Sequence, residues 1–258
     1  MSGVDRESLA ASVDRETGRL REQLSQIMAV SQCLERLVTG EKEETYLAIL
    51  NWSTCRMLRI VKRMEVTHQL TDEDEIRLHP GLLDFGPWLK RLCGRMERLL
   101  AMSGVTLQWK APVCMLTYAD EMLLQYMLLE LVDNSVKAGK NVTIELTDLD
   151  GKACLSVRDD RETMEPGQLD TLLEPDDNSE GGILLAQRIV ELHGGNMLAD
   201  FAPGRGLTVR VILPLREGPF TGRLKSPSEP LDSWVDQQLR VAFSDVLPQE
   251  AYLPQKRR

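Results

Sequence analysis

Leu129-Glu130-Leu131-Val132-Asp133-Asn134-Ser135-Val136-Lys137-Ala138 is the stretch on which the fold turns. With Leu128 before it, Leu131, Val132 and Ser135 or Val136 supply a helical side that can lie on a sheet. Glu130, Asn134 and Lys137 stand at i, i+4 and i+7, which stacks them on one helical face. That face gathers a carboxylate, an amide oxygen and an ammonium. A metal–phosphate substrate needs such a set: an oxygen ligand for Mg²⁺, a positive charge near phosphate, and a base for an attacking hydroxyl or water. A plain surface helix also has a polar outer face, so this stretch alone leaves both readings open.

Working outward, Asp120 is placed to cap the helix that contains this stretch, and Gly139 to end it. Two alternating runs follow, Val142–Leu146 and Ala153–Val157, around the turn Asp148-Leu149-Asp150-Gly151. A helix is expected from Gly182 to Leu192, then a strand pair around Pro203-Gly204-Arg205-Gly206. On the N-terminal side, Phe85 to Met102 reads as a helix. Val105–Lys110 and Cys114–Ala119 read as strands, with a further short strand at Glu75–Leu78. Strands outnumber what βαβ alternation would give, which predicts an α/β sandwich with helices on one face of a mixed sheet. Asp159 closes an apolar strand, where a carboxylate pointing into a pocket accepts a hydrogen bond from an exocyclic amine.

With these segments in order, residues 80–215 resemble the ATP-binding superfamily that joins histidine kinases, DNA gyrase B, the Hsp90 chaperones and MutL-type repair proteins. Residues 129–138 look like its N box. The resemblance implies an α+β fold: an N-terminal antiparallel helical hairpin, a four-helix bundle when dimeric, followed by a histidine-kinase-type ATPase α/β sandwich. It puts Asn134 on the Mg²⁺ ligand, Lys137 near the phosphates and Asp159 on adenine. Glu130 falls where the family's ATPases and serine kinases carry a catalytic Glu. Gly182 opens the helix ending in Glu191-Leu192-His193-Gly194-Gly195, which is similar to the kinase helix whose N-terminus faces phosphate. Thr208 matches a threonine near adenine. ATP and Mg²⁺ are the implied cofactors.

The departures concern enclosure of the nucleotide. Where the family has Asp-x-Gly-x-Gly, this chain has Arg161 and Thr163. Glycine permits close backbone approach that a side chain obstructs, so either the pocket wall moves or a bulky side chain partly fills the site. Asn178 and Glu180 replace earlier glycines of the phosphate loop. The connector from Asp160 to Gly181 is short and acidic, which disfavours a full lid over a triphosphate.

The first seventy residues carry two helical stripes: Leu20, Leu24, Ile27, Ser31, Leu34 and Val38, then Leu47, Leu50, Thr54, Met57, Val61, Met64 and His68. Gly40 breaks them. Two long helices joined this tightly are antiparallel, and a second copy would complete a four-helix core, so residues 14–68 are expected to homodimerise. The alternative is that the hairpin folds against its own C-terminal domain. A histidine kinase needs an acceptor imidazole on the first helix, yet the chain has no histidine before His68. A weak overlay puts Arg21 at the acceptor position, and arginine stays protonated. His68 is expected near a helix end, His79 in a loop and His193 in a structural place.

The whole chain narrows the setting. It has 258 residues, is 42% hydrophobic and carries a net charge of -9, so nucleic acid and anionic membranes are poor general partners. No apolar run approaches a membrane span and no secretory signal opens the sequence. The five cysteines form no Cys-x-x-Cys pair, which fits free thiols in a reducing cytoplasm. The organisation expected is 1–72 hairpin, 73–217 ATP-binding sandwich, and 218–258 linker and tail. Residues 218–230 form the linker, and a short helix at Leu231–Val241 is anchored by Trp234, Leu239 and Val241. The reading favoured is a pseudokinase-type signalling regulator whose partner is a response regulator or another signalling protein. Two alternatives stand beside it: an active Mg-ATP-dependent kinase or ATPase with Glu130 as base, and a purely structural dimeric scaffold.

Overall fold

In a computed structural model, residues 3–71, 78–165, 167–172, 182–216 and 232–254 are described. The glycine replacements Asn178 and Glu180 and the linker 218–230 lie outside them. The chain forms two compact units: one holds residues up to Ile76 together with Arg240 onward, the other runs from Arg77 to Leu239.

The first unit is built on α1 (Gly3–Leu34) and α2 (Glu41–Thr71). Thr17, Leu24, Met28 and Ser31 on α1, and Leu47, Thr54 and Val61 on α2, are buried. These residues recur at helical spacing and form the seam expected from the stripes. The remaining stripe residues do not share that seam: Leu20, Ile27, Leu34, Leu50, Met57 and Met64 are exposed. A second side of α2 is covered by the end of the chain. Phe243, Leu247, Ala251 and Tyr252 are buried. The Trp52 indole donates to the Ser244 carbonyl at 2.9 Å and the Asn51 amide to the Tyr252 carbonyl at 3.5 Å. The C-terminal helix forms as α7 (Asp232–Ala242), but Trp234 is no anchor: it is 39% exposed, whereas Leu239 is fully buried. The apolar residues that hold this segment follow the helix, out of reach of a helical pattern.

The second unit is the α/β sandwich. It begins with β1 (Gly81–Asp84), α3 (Phe85–Leu100), β2 (Thr106–Lys110) and β3 (Leu116–Ala119). The first strand therefore lies after the Glu75–Leu78 run expected from pattern, of which Leu78 is outside any strand and 75–77 are not described. Next come α4 (Glu121–Ala138), β4 (Asn141–Leu149), β5 (Lys152–Arg158), the short α5 (Gln168–Thr171), α6 (Gly182–Leu192), β6 (Asn196–Ala202) and β7 (Gly206–Pro214). The main sheet has the order β2-β4-β5-β7-β6, with β2 parallel to β4 and the other pairs antiparallel. β1 pairs with β3 in a separate two-stranded sheet.

Alternation explains the layering. Val142, Ile144 and Leu146 on β4, Ala153, Leu155 and Val157 on β5, and Val209, Val211 and Leu213 on β7 are buried on one face. Leu128, Leu131, Val132 and Val136 of α4 and Ala186, Ile189 and Val190 of α6 complete that core, each buried aliphatic side chain contributing roughly 1.5–3 kcal/mol. β4 turns into β5 through Asp150 and Gly151, both at positive φ, 52° and 76°, the Asp-Gly hairpin turn that matches strand twist. The cysteines are free, and burial pushes the Cys55 and Cys93 thiols up to about 12, so neither is a nucleophile.

Candidate functional site

The site is assembled from three places: the second half of α4, the turn leaving β5, and the start of β7. Asp120 fixes α4, its Oδ1 accepting the Met122 and Leu123 amides at 3.1 Å. The stacking of Glu130, Asn134 and Lys137 holds, but their surroundings differ. Glu130 is buried, Asn134 is half-buried and Lys137 is exposed. Lys137 Nζ is drawn back along its own helix to Asp133 Oδ2 at 3.3 Å. Gly182 is the buried first residue of α6. Thr208 is half-buried on β7, opposite Arg158 on one side and Asp200 on the other.

Asp159 is the centre of the arrangement and is 2% exposed. The substitution that interrupts the glycine pattern supplies its partner. Arg161 Nε lies 3.0 Å from Asp159 Oδ1 and Arg161 Nη2 lies 2.7 Å from Oδ2. The Arg161 and Leu207 amides donate to Oδ1 as well, at 3.1 and 3.2 Å. Arg161 Nη2 also reaches the Asn134 carbonyl at 3.5 Å. The guanidinium thus bridges the β5 end and the backbone of α4. At the position of the lost glycine, the Arg161 side chain is folded back onto Asp159. A buried bidentate carboxylate–guanidinium pair with further N–H donors is a saturated acceptor.

Beside the site, the structural role of Asp160 was not singled out from sequence. Asp160 accepts from the Lys140 amide at 2.7 Å, the Asn141 amide at 3.0 Å and the Asn141 side chain at 2.6 Å. These donors, those of Asn141 first, hold its carboxyl below the ordinary range. A Cβ at Gly139 would overlap that carboxylate, so a glycine after a helix followed about twenty residues on by an Asp pair was the available signal. Gly206 also does more than turn the chain: its Cβ would overlap the Asp159 carbonyl, while Gly204 faces open space.

His193 has a defined structural place. Its Nδ1 faces the Ile189 carbonyl at 2.7 Å and its Nε2 accepts the Asp120 amide at 3.1 Å. Burial, opposed by the Ile189 carbonyl, lowers its pKa from the ordinary value. The imidazole therefore ties the end of α6 to the N-cap of α4 in its neutral form.

Known proteins match this architecture. The family model for histidine kinase-, DNA gyrase B- and HSP90-like ATPases matches residues 119–217. Sensor histidine kinase ZraS of Klebsiella oxytoca is 27% identical over 225 residues, 80% of this chain and 46% of its own. Signal transduction histidine-protein kinase BaeS of Escherichia coli (strain K12) is 26% identical over 172 residues, 60% of this chain and 37% of its own. The chain spans less than half the length of either relative. Among solved structures, full-length ShkA in complex with AMPPNP superposes with a TM-score of 0.61 at 18% identity, over 90% of this chain and 54% of that one. Histidine kinase AdeS of Acinetobacter baumannii superposes with a TM-score of 0.52 at 14% identity, over 79% of this chain and 97% of that one. No helix among the described residues is long and apolar enough to cross a membrane. The sandwich that carries Asn134, Asp159 and Thr208 is a histidine kinase-like ATP-binding domain.

Proposed function

We infer that this chain is a pseudokinase-type signalling regulator, acting in the cytoplasm as a homodimer on a response regulator or another signalling protein, with adenine nucleotide bound weakly or not at all. The observation that carries this reading is the Asp159–Arg161 pair. An adenine amine needs the carboxylate that Arg161 already holds through Nε and Nη2. Admitting ATP requires Arg161 to leave. Separating a buried hydrogen-bonded ion pair costs about 3–5 kcal/mol, which weakens binding by roughly two to four orders of magnitude. With Arg161 in place the residues do not fit adenine, whatever Asn134 offers a metal. Lys137, committed to Asp133, and the sequence's Arg21 at the acceptor position support the same reading. Homodimerisation is supported by the exposed apolar residues Leu20, Ile27 and Leu34, at seven-residue spacing on α1, and Leu50, Met57 and Met64, at the same spacing on α2.

The test is calorimetric titration of AMPPNP with Mg²⁺ into the full chain and into Arg161→Gly. The variant is expected to bind at least about a hundredfold tighter than the parent. Micromolar binding by the parent, or no difference between the two, would overturn the proposal. So would Mg-ATP turnover by the parent that disappears in Glu130→Ala.

A further inference from the structure

Two neighbouring polar atoms at the end of α7 are buried without a hydrogen-bond partner: Arg240 Nε and Ser244 Oγ. Arg240 belongs to the last turn of α7, and Ser244 to the turn that continues it. Residues four apart on such a turn lie one above the other, with Cβ atoms about 5–6 Å apart. The Ser244 orphan has a local cause. A serine in this setting ordinarily bonds back to the carbonyl four residues before it. Here the Arg240 carbonyl accepts the Tyr252 hydroxyl instead, at 2.8 Å. Ser244 is 0% exposed, so solvent does not reach its hydroxyl. The Arg240 guanidinium forms no ion pair among the described residues, and the neighbouring carboxylate, Asp245, is engaged by Arg56 and Arg59.

A buried donor left unpaired is costly, and two such donors beside a positive charge call for one acceptor that serves both. The groups around them have hydrogens committed or hydrogens to give. Trp52 Nε1 donates to the Ser244 carbonyl and the Tyr252 hydroxyl to that of Arg240. Burial outweighs the Arg240 charge and pushes the Cys55 thiol up to about 12, so Cys55 stays protonated. Cys55 and Tyr252 are each 2% exposed, which suits a monatomic anion rather than a polyatomic one. We propose that Arg240 and Ser244 hold a single halide ion, chloride under ordinary conditions, beneath the C-terminal segment. The ion accepts from Arg240 Nε and Ser244 Oγ, and its charge offsets the guanidinium where the segment meets Trp52 and Cys55 of α2. Halide occupancy therefore stabilises the seat of the C-terminal segment on α2. The inference involves the helical unit alone and stands or falls independently of Asp159, Arg161 and the second copy.

The experiment compares the full chain in sodium chloride and in sodium gluconate at equal ionic strength, by chlorine NMR line broadening and thermal unfolding. The broadening is expected to saturate at one ion per chain and to be reversed by bromide. Chloride at tenfold its Kd is expected to raise the unfolding midpoint by about 3–5 °C over gluconate. Ser244→Ala separates a bound ion from a packing role. It deletes an orphaned hydroxyl, so in gluconate the variant is expected to match or exceed the parent, whereas in chloride it falls below. Its chloride affinity is expected to drop at least about tenfold, and that of Arg240→Gln further. Circular dichroism confirms that each variant is folded, and if Arg240→Gln is not, Ser244→Ala and the parent titration still decide. Equal midpoints for the parent in the two salts, or the same Ser244→Ala loss in both, would put a buried water in place of the halide and overturn the proposal. Broadening that survives Ser244→Ala unchanged would place the ion elsewhere and overturn it too.

Discussion

The turn that leaves β5 and the junction where α6 meets α4 lie in one sandwich, and both consist of buried polar groups satisfied internally. At the junction, His193 and Asp120 serve each other and the helix ends. Those contacts belong to the frame and involve no ligand. At the turn, Asp159 holds the Leu207 amide at the entry to β7, which is again a frame contact, but its remaining acceptor capacity goes to Arg161. The difference lies in what each site leaves over. An aspartate at the end of a strand can thus be wholly engaged by partners within its own fold. Its presence alone therefore says nothing about binding.

The largest expected effect tests that statement directly. Asp159→Ala leaves the Arg161 guanidinium buried without its counter-charge and removes the acceptor for Leu207, so urea unfolding should show a loss of about 3–5 kcal/mol. The paired variant Asp159→Asn with Arg161→Met keeps an acceptor for the Leu207 amide and removes both charges. It should recover to within about 1–2 kcal/mol of the parent, because neutral replacement of a buried ion pair is often tolerated. A loss below about 1 kcal/mol for Asp159→Ala would mean the carboxylate is not internally committed in solution, and the contrast between turn and junction would collapse.

The two glycines before β7 sharpen the same contrast at a smaller scale. Both have φ of +76°, but only at Gly206 would a Cβ overlap the Asp159 carbonyl. Gly204→Ala should cost about 1 kcal/mol, the left-handed penalty alone. Gly206→Ala adds backbone displacement at the Asp159 turn and should cost about 3 kcal/mol. Similar losses at the two positions would reduce Gly206 to a turn residue. They would also separate β7 from the geometry that buries Asp159.

Much of this sandwich was legible because its signals are local. The 2.0 and 3.6 periodicities of β4, β5, α4 and α6, the Asp120 cap and the Asp-Gly turn each act within a few residues. Placement of Asp159 at the end of β5 followed from the strand itself. What sequence left open was how the glycine lost at Arg161 is accommodated, by a displaced pocket wall or by a bulky side chain partly filling the site. That choice depends on burial, which turns on packing between β5, β7 and α4. The helical stripes likewise mixed two faces: Leu24 and Val61 line the intramolecular seam, whereas Leu20 and Met64 lie outside it. The anchoring by Phe243, Leu247 and Tyr252 was missed because short apolar residues between turns carry no period.

The smallest effect concerns the junction and is a matter of pH. His193 is buried, and Asp120 and Arg216 are the charged groups that act on it, one raising and one lowering its pKa. Its folded-state pKa lies below the ordinary value of about 6.5, because an imidazolium could not accept the Asp120 amide and would have to be buried charged. The unfolded chain therefore binds this proton first. The contribution from His193 should be fully present above about pH 6.5 and decline as pH falls below it, with a slope of at most about 1.4 kcal/mol per pH unit. His193→Leu should lower stability at pH 8 by about 1–2 kcal/mol through the two lost hydrogen bonds, yet flatten the fall between pH 6.5 and pH 5. A variant that keeps the parent's slope would assign the acid sensitivity to other groups. The imidazole would then be a spacer between α6 and α4, and the junction would no more depend on its polar contacts than on the shape of the ring.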